Sequence, residues 1–318
     1  MTDTMRVVFM GTPDFAVPTL QALMRNPEFD VVGVVTQPDR PAGRGQQVQF
    51  SPVKETALAA QLPIIQPTSL RREPAHVQQI HDWQPDYLVV IAFGQILRQD
   101  VLDIPRLAPV NIHASLLPRW RGASPIQAAL RAGDLHTGIT TMQMDAGMDT
   151  GPILLQDSIP ITPEETGQSL HDKLATMGAW LLIPTLQWLR DGLLTPNPQP
   201  DDAERITHAP QLKKEDGEIN WTQAAAAIDR HVRAYTPWPG TYTHWGDKRL
   251  KILDGMPRET NQAAPPGEVI SLGEQAPCAI GTGNGLYIPH TLQLAGRKPM
   301  DAEAFVNGAP DFVGSTLA

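Results

Sequence analysis

The chain has 318 residues, 41% of them hydrophobic and 19% charged, with a formal net charge of −9 and a single cysteine. No apolar run approaches the roughly 20 residues that span a bilayer, a lone thiol builds neither an internal disulfide nor a cysteine metal site, and the acidic balance argues against non-specific nucleic-acid binding. The length leads us to expect two domains, and the opening residues lack the basic, apolar and small-residue succession of an export signal, so a cytoplasmic protein is expected.

Through the first half, short apolar runs alternate with stretches of helical spacing. Residues 6–10, 31–36, 87–92, 109–113 and 138–144 read as buried strands, and 15–25, 52–60, 70–83 and 125–132 as helices. The alternation predicts an α/β domain with a Rossmann-like, mostly parallel sheet, whose ligands gather beyond the carboxyl ends of the strands. Leu170, Leu174, Met177, Leu181, Leu182, Leu186 and Leu189 extend the helical pattern, with Pro184 expected to start a new turn or a kink. Residues 191–209, rich in proline and carrying Asp201 and Asp202, read as an extended linker between domains at 1–190 and 210–318. Beyond it, 222–234 suits one helix. The evenly spaced runs 240–245, 250–253, 267–272, 276–281 and 285–294, punctuated by glycine, predict a small OB-like β-barrel.

Four loops carry candidate chemistry. Gly11-Thr12-Pro13-Asp14 follows the first strand but lacks G-x-G-x-x-G, so an ordinary helix start is favoured over a dinucleotide site. The connection over 36–51 is long for such a sheet, and Arg40 and Arg44 among its prolines and glycines make either a cationic arm for phosphate or a solvated excursion. At the end of the fourth strand, Asn111 and His113 are two residues apart, so an amide and an imidazole share one side. Acyl transfer needs donors aimed at a developing oxyanion and a group that manages a proton near neutrality, and this pair supplies both. The loop over 144–152 offers Asp145 and Asp149, either of which fits a turn cap or a carboxylate that orients His113. The residues alone leave that choice open.

Taken together, GTPDFAVPTL at 11–20, TQPDRPAGRG at 36–45, SPVK at 51–54, NIHASLLPRWRGASPIQ at 111–127, DAGMDTG at 145–151, KKEDGEINW at 213–221 and AYTPWPG at 234–240 resemble the folate-dependent formyltransferase family, in its tRNA-acting branch. Ser124 is one mild departure from the pattern. The resemblance covers nearly the whole chain and implies that 10-formyltetrahydrofolate donates its formyl group to the free amine of methionine carried by initiator tRNA, without a metal. It implies Asn111, His113 and Asp149 as the catalytic trio and Ser115, Leu116, Leu117 and Pro118 as the folate-binding strip. Arg40 and Arg44 then belong to an arm pressed on the tRNA acceptor end, with Lys213 and Lys214, and also Arg230, Arg233, Lys248, Arg249 and Lys251, as phosphate contacts. Residues 1–208 hold 15 basic and 22 acidic side chains and 209–318 hold 10 and 12, so the C-terminal part is nearly neutral and a few placed cations suffice there. A monomer is expected. An amino-sugar-nucleotide formyltransferase, a shorter formyltransferase acting on glycinamide ribonucleotide, a catalytically silent tRNA binder and a formate-releasing hydrolase are the alternatives, and the arm, the chain length and the intact trio weigh against the first three.

Overall fold

The computed structural model describes residues 4–42, 47–260 and 264–318, so Arg44 lies outside the described residues. The chain divides into two compact units. One takes the residues up to Pro125 together with His136–Pro160 and His171–Ala209, and the other takes Ile126–Leu135, Ile161–Leu170 and Pro210–Ala318.

In the first unit, β1 (Met5–Gly11), α1 (Val17–Arg25) and β2 (Phe29–Val35) are followed by an antiparallel hairpin of β3 (Arg40–Ala42) and β4 (Gln47–Gln49). Next come α2 (Pro52–Ala59), β5 (Ile64–Ile65), α3 (Pro74–Asp82), β6 (Tyr87–Ile91), α4 (Gln99–Leu102), β7 (Ala108–His113) and β8 (Arg121–Gly122). The chain continues through α5 (Pro125–Ala132), which from Ile126 belongs to the second unit, then β9 (His136–Gln143), β10 (Ile153–Pro160), α6 (Gly167–Arg190), which belongs to the first unit from His171, and β11 (His208–Ala209). Seven of these strands form one sheet in the order β10-β9-β7-β6-β1-β2-β5. The five from β5 to β7 are parallel, while β9 and β10 are antiparallel additions. Val7, Val8, Phe9 and Met10 of β1 and Leu88, Val89 and Ile91 of β6 are covered on both faces, which explains their unbroken apolar runs. The order of strands reverses between β1 and β6, and the loops leaving those ends form the crevice of the sheet.

Two of the departures from the sequence reading bear on this sheet. The edge strand β10 is absent from the sequence reading because three successive exposed polar residues, Gln156, Asp157 and Ser158, erase both the apolar run and the alternation. Helix α6 runs through Pro184 without a break over 24 residues. Leu174, Leu182 and Leu186 are fully buried, and Tyr87 donates its hydroxyl to the Leu186 carbonyl at 2.9 Å, so packing on the sheet outweighs the one backbone bond that proline forfeits.

The second unit contains α7 (Ala225–Ala234), β12 (Thr241–Trp245), β13 (Lys248–Arg258), β14 (Val269–Ile270), β15 (Ala279–Gly281), β16 (Leu286–Leu294), β17 (Met300–Asp301) and α8 (Ala302–Gly308). Its antiparallel sheet runs β12-β13-β16-β15-β14, with β17 paired to β16. The C-terminal segment joins the two edges: Leu317 bridges Trp245 beside one edge, and Thr316 bridges Glu268 beside the other. That closure turns the sheet into the small barrel expected, around Trp221, Ile228, Tyr287, Phe305 and Phe312.

Candidate active site

Because side chains alternate along a strand, Asn111 and His113 leave the end of β7 on the same face, next to Val90 of β6 and Met142 of β9. His113 is 6% exposed. Its Nε2 donates to the Trp120 carbonyl at 2.9 Å, and its Nδ1 lies 3.6 Å from Oδ2 of Asp149. With a second proton on the ring, both nitrogens face an oxygen. Asp149 Oδ2 also accepts the Gly122 backbone N–H at 2.7 Å.

Asn111 is the counterpart. Its Oδ1 is buried without a hydrogen-bond partner among the described residues, a condition that costs about 1–3 kcal/mol and is rare in native proteins. The amide thus stands two residues from the imidazole with its oxygen left for a ligand.

The two aspartates of the following loop separate cleanly. Asp145 caps its own turn, accepting the Gly147 N–H at 3.0 Å and the Thr150 hydroxyl at 2.7 Å. Asp149 turns inward to His113. It does so from a left-handed backbone, φ 55°, and Trp120, whose carbonyl holds the imidazole, has φ 62°. Non-glycine residues in that region cost about 1–3 kcal/mol each and persist only where neighbours over-determine them. Here they are over-determined by the stretch 191–209. Gln199 donates to the carbonyls of Asp149 and Gly151, both at 2.8 Å, and its Oε1 accepts two bonds from the Arg121 guanidinium at 2.7 and 3.1 Å. Thr207 accepts the Trp120 N–H at 2.8 Å, and its carbonyl accepts the Arg121 N–H at 2.9 Å, beside the parallel pairing of β8 with β11. Gly122 has φ 116°, and a Cβ there would lie 2.6 Å from the Ala209 carbonyl oxygen, so only glycine passes.

Residues 191–209 are therefore a structural wall of the site, and Gln199 and Thr207 are the functional positions that composition concealed. A proline-rich stretch reads as extended, and it is extended; nothing in its spacing announced which surface it follows.

The strip Ser115–Pro118 sits beneath the same loop. Ser115 is fully buried and donates its hydroxyl to the Arg119 carbonyl at 2.6 Å. Thr140 ties the strip to β9 by donating to the Ser115 carbonyl at 2.7 Å and accepting the Leu117 N–H at 3.1 Å. Leu117 and Pro118 are buried and Leu116 is half-exposed. Across the crevice, the Thr12 hydroxyl and the Gln37 amide both donate to the Phe93 carbonyl, at 3.3 and 3.2 Å, which joins the loops after β1, β2 and β6.

Of the cations expected to meet phosphate, Arg40, Lys213, Lys214, Lys248, Arg249 and Lys251 are exposed. Arg230 and Arg233 are engaged within the second unit, Arg230 with the Arg131 carbonyl at 3.2 Å and Arg233 with Asp229 at 2.8 Å and the Glu165 carbonyl at 2.9 Å. Each therefore spends part of its guanidinium on contacts within that unit.

Comparison with known proteins places this geometry in context. Residues 5–186 match the model of the formyl transferase family, and residues 211–310 match that of the formyl transferase C-terminal domain. A methionyl-tRNA formyltransferase of Trichlorobacter lovleyi is 47% identical over 312 residues, covering 98% of this chain and 96% of its own. Another, from Geobacter metallireducens, is 49% identical over 302 residues and covers 95% of each chain. Among solved structures, an N-formyltransferase from Helicobacter canadensis in complex with folinic acid and dTDP-3-aminofucose superposes with a TM-score of 0.66 over 90% of this chain and 98% of that one, at 17% identity. That last likeness is one of fold.

Proposed function

The chain belongs to the formyl transferase family, and on that premise we propose that it transfers the formyl group of 10-formyltetrahydrofolate to the amino group of methionine on initiator tRNA, giving N-formylmethionyl-tRNA. The observation that carries the mechanism is the Asn111 amide, whose buried oxygen has no partner among the described residues, beside an imidazole whose two nitrogens are each directed at an oxygen.

When the amine attacks the formyl carbon, negative charge gathers on the formyl oxygen and the amine must shed a proton; the intermediate then collapses as the bond from the formyl carbon to the folate nitrogen breaks, and that nitrogen takes up a proton as tetrahydrofolate leaves. The Asn111 amide supplies a donor to the formyl oxygen, and the His113 ring, protonated between the Trp120 carbonyl and Asp149, supplies positive charge beside it. Asp149 holds the ring in place and offsets the positive charge of the imidazolium; it also receives the amine's proton, directly or through solvent. The loop over 115–118 holds the folate donor, and Arg40, which is exposed, meets the acceptor end of the tRNA together with Arg44, with Lys213 and Lys214 as further phosphate contacts from the C-terminal domain, residues 210–318. One chain contains the whole trio, so a monomer suffices, working in the cytoplasm where initiator tRNA is charged.

Offered charged initiator tRNA and an amino-sugar nucleotide together, the protein is expected to formylate the tRNA. Exclusive formylation of the sugar, or formate release without transfer, contradicts the proposal.

A further inference from the structure

The cationic arm over 36–51 is fixed at its base by a cluster that the chemistry described so far does not use. The first and last residues of the arm meet directly, Thr36 Oγ1 to Ser51 Oγ at 2.8 Å, and Ser51 also caps α2 by accepting the Lys54 N–H at 3.1 Å. One turn into that helix, the Lys54 ammonium lies 2.5 Å from Asp39 Oδ2 and 4.0 Å from the centre of the Phe50 ring. Asp39 precedes β3 and Phe50 follows β4, so one side chain holds both stems of the hairpin. A third residue completes the clamp: Gln66 donates to Asp39 Oδ1 at 2.8 Å and to the Gln37 carbonyl at 2.9 Å.

The environment makes this more than a surface pair. The Lys54 and Asp39 side chains are 12% and 21% exposed. Exposed ion pairs contribute little because two flexible side chains must be ordered in water, whereas here the ammonium is shared between a carboxylate and an aromatic face, and the Lys54 backbone is held in the capped first turn of α2. The residue immediately after Asp39 is Arg40, whose side chain is exposed. The clamp thus fixes the backbone from which a phosphate-binding guanidinium is projected.

We infer that Lys54, Asp39 and Gln66 are positioning residues for the tRNA substrate, setting the direction of the arm without touching the reacting atoms. The inference rests on the reading of the arm as a tRNA contact. Misplacing a binding group by about 1 Å costs up to about a hundredfold in extreme cases, and loss of a clamp held by one ion pair and two hydrogen bonds from the Gln66 amide is expected to cost about tenfold.

A charge reversal in the expected sign makes the test sharp. Asp39→Asn removes a negative charge from the neighbourhood of a polyanion, so electrostatics alone predicts a lower KM for methionyl-tRNA, whereas positioning predicts a KM raised about tenfold. Steady-state kinetics of wild type, Asp39→Asn, Lys54→Met, Lys54→Arg and Arg40→Ala, with each substrate varied in turn, reads the outcome. Positioning predicts that Asp39→Asn and Lys54→Met raise KM for tRNA far more than they change kcat or KM for 10-formyltetrahydrofolate, and that Lys54→Arg recovers most of the loss. A lowered or unchanged KM for tRNA in Asp39→Asn, alongside a raised one in Arg40→Ala, overturns the clamp alone. An unchanged KM in Arg40→Ala overturns the reading of the arm and the clamp with it.

Discussion

Replacing Asp149 by asparagine isolates the charge that faces His113. Asparagine keeps an oxygen for the Gly122 N–H now held at 2.7 Å, and it tolerates the left-handed backbone of φ 55° better than most residues, so the loop is expected to survive. What disappears is the attraction between a carboxylate and an imidazolium whose nitrogen is 3.6 Å away. With the two side chains 18% and 7% exposed, an effective dielectric between about 20 and 40 applies, which gives about 2–5 kcal/mol. If the imidazolium forms as charge builds on the formyl oxygen, kcat falls between about 30-fold and several thousandfold. Single-turnover transfer measured beside thermal unfolding and tRNA binding checks this. A kcat within about threefold of wild type refutes the role given to the charge, and a loss of activity that merely tracks unfolding refutes the reasoning about the loop.

Two further outcomes follow from the structure. Gln199→Ala removes the donors to the Asp149 and Gly151 carbonyls and strands the Arg121 guanidinium, so it is expected to lower stability by about 1–3 kcal/mol and reduce kcat while leaving KM for tRNA near wild type, as denaturant titration and steady-state kinetics will register. In the second unit, burial pushes the His231 imidazole down to about 4 from its ordinary 6.5, with the nearby Arg131 acting the same way. The unfolded chain therefore binds this proton first, so the neutral ring's contribution is complete above about pH 6.5 and is lost as pH falls toward 4, a change of about 3 kcal/mol. Unfolding free energies of His231→Gln across that range are expected to be flatter than those of wild type, and parallel curves would contradict the assignment.

Much of this was legible in the sequence wherever one kind of side chain had one job. The doubly covered strands announced themselves in runs such as Val7–Met10, and the strand-end pair Asn111 and His113 followed from the two-residue period alone. The barrel was readable from glycine spacing, though its closure by Thr316 and Leu317 was not, since two residues of a terminal segment carry no pattern. The choice between Asp145 and Asp149 was illegible locally because both sit beside glycine; it depends on Gly122 and Gln199, which are 27 and 50 residues distant along the chain. The charge of Arg233 is visible in the sequence, whereas its pairing with Asp229, one helical turn away, depends on the helix that brings the two together. The clamp on the arm was hidden for the same reason: Lys54 and Asp39 belong to different elements, and only their distance makes them one device.

The central claim is tested most directly by following a labelled formyl group from 10-formyltetrahydrofolate. With charged initiator tRNA, the wild-type protein is predicted to deposit the label on the methionyl amine, recoverable as formylmethionine after the ester is hydrolysed. His113→Ala is predicted to bind the same tRNA without transferring the label. Label appearing only as free formate, or transfer by His113→Ala at the wild-type rate, would contradict the account.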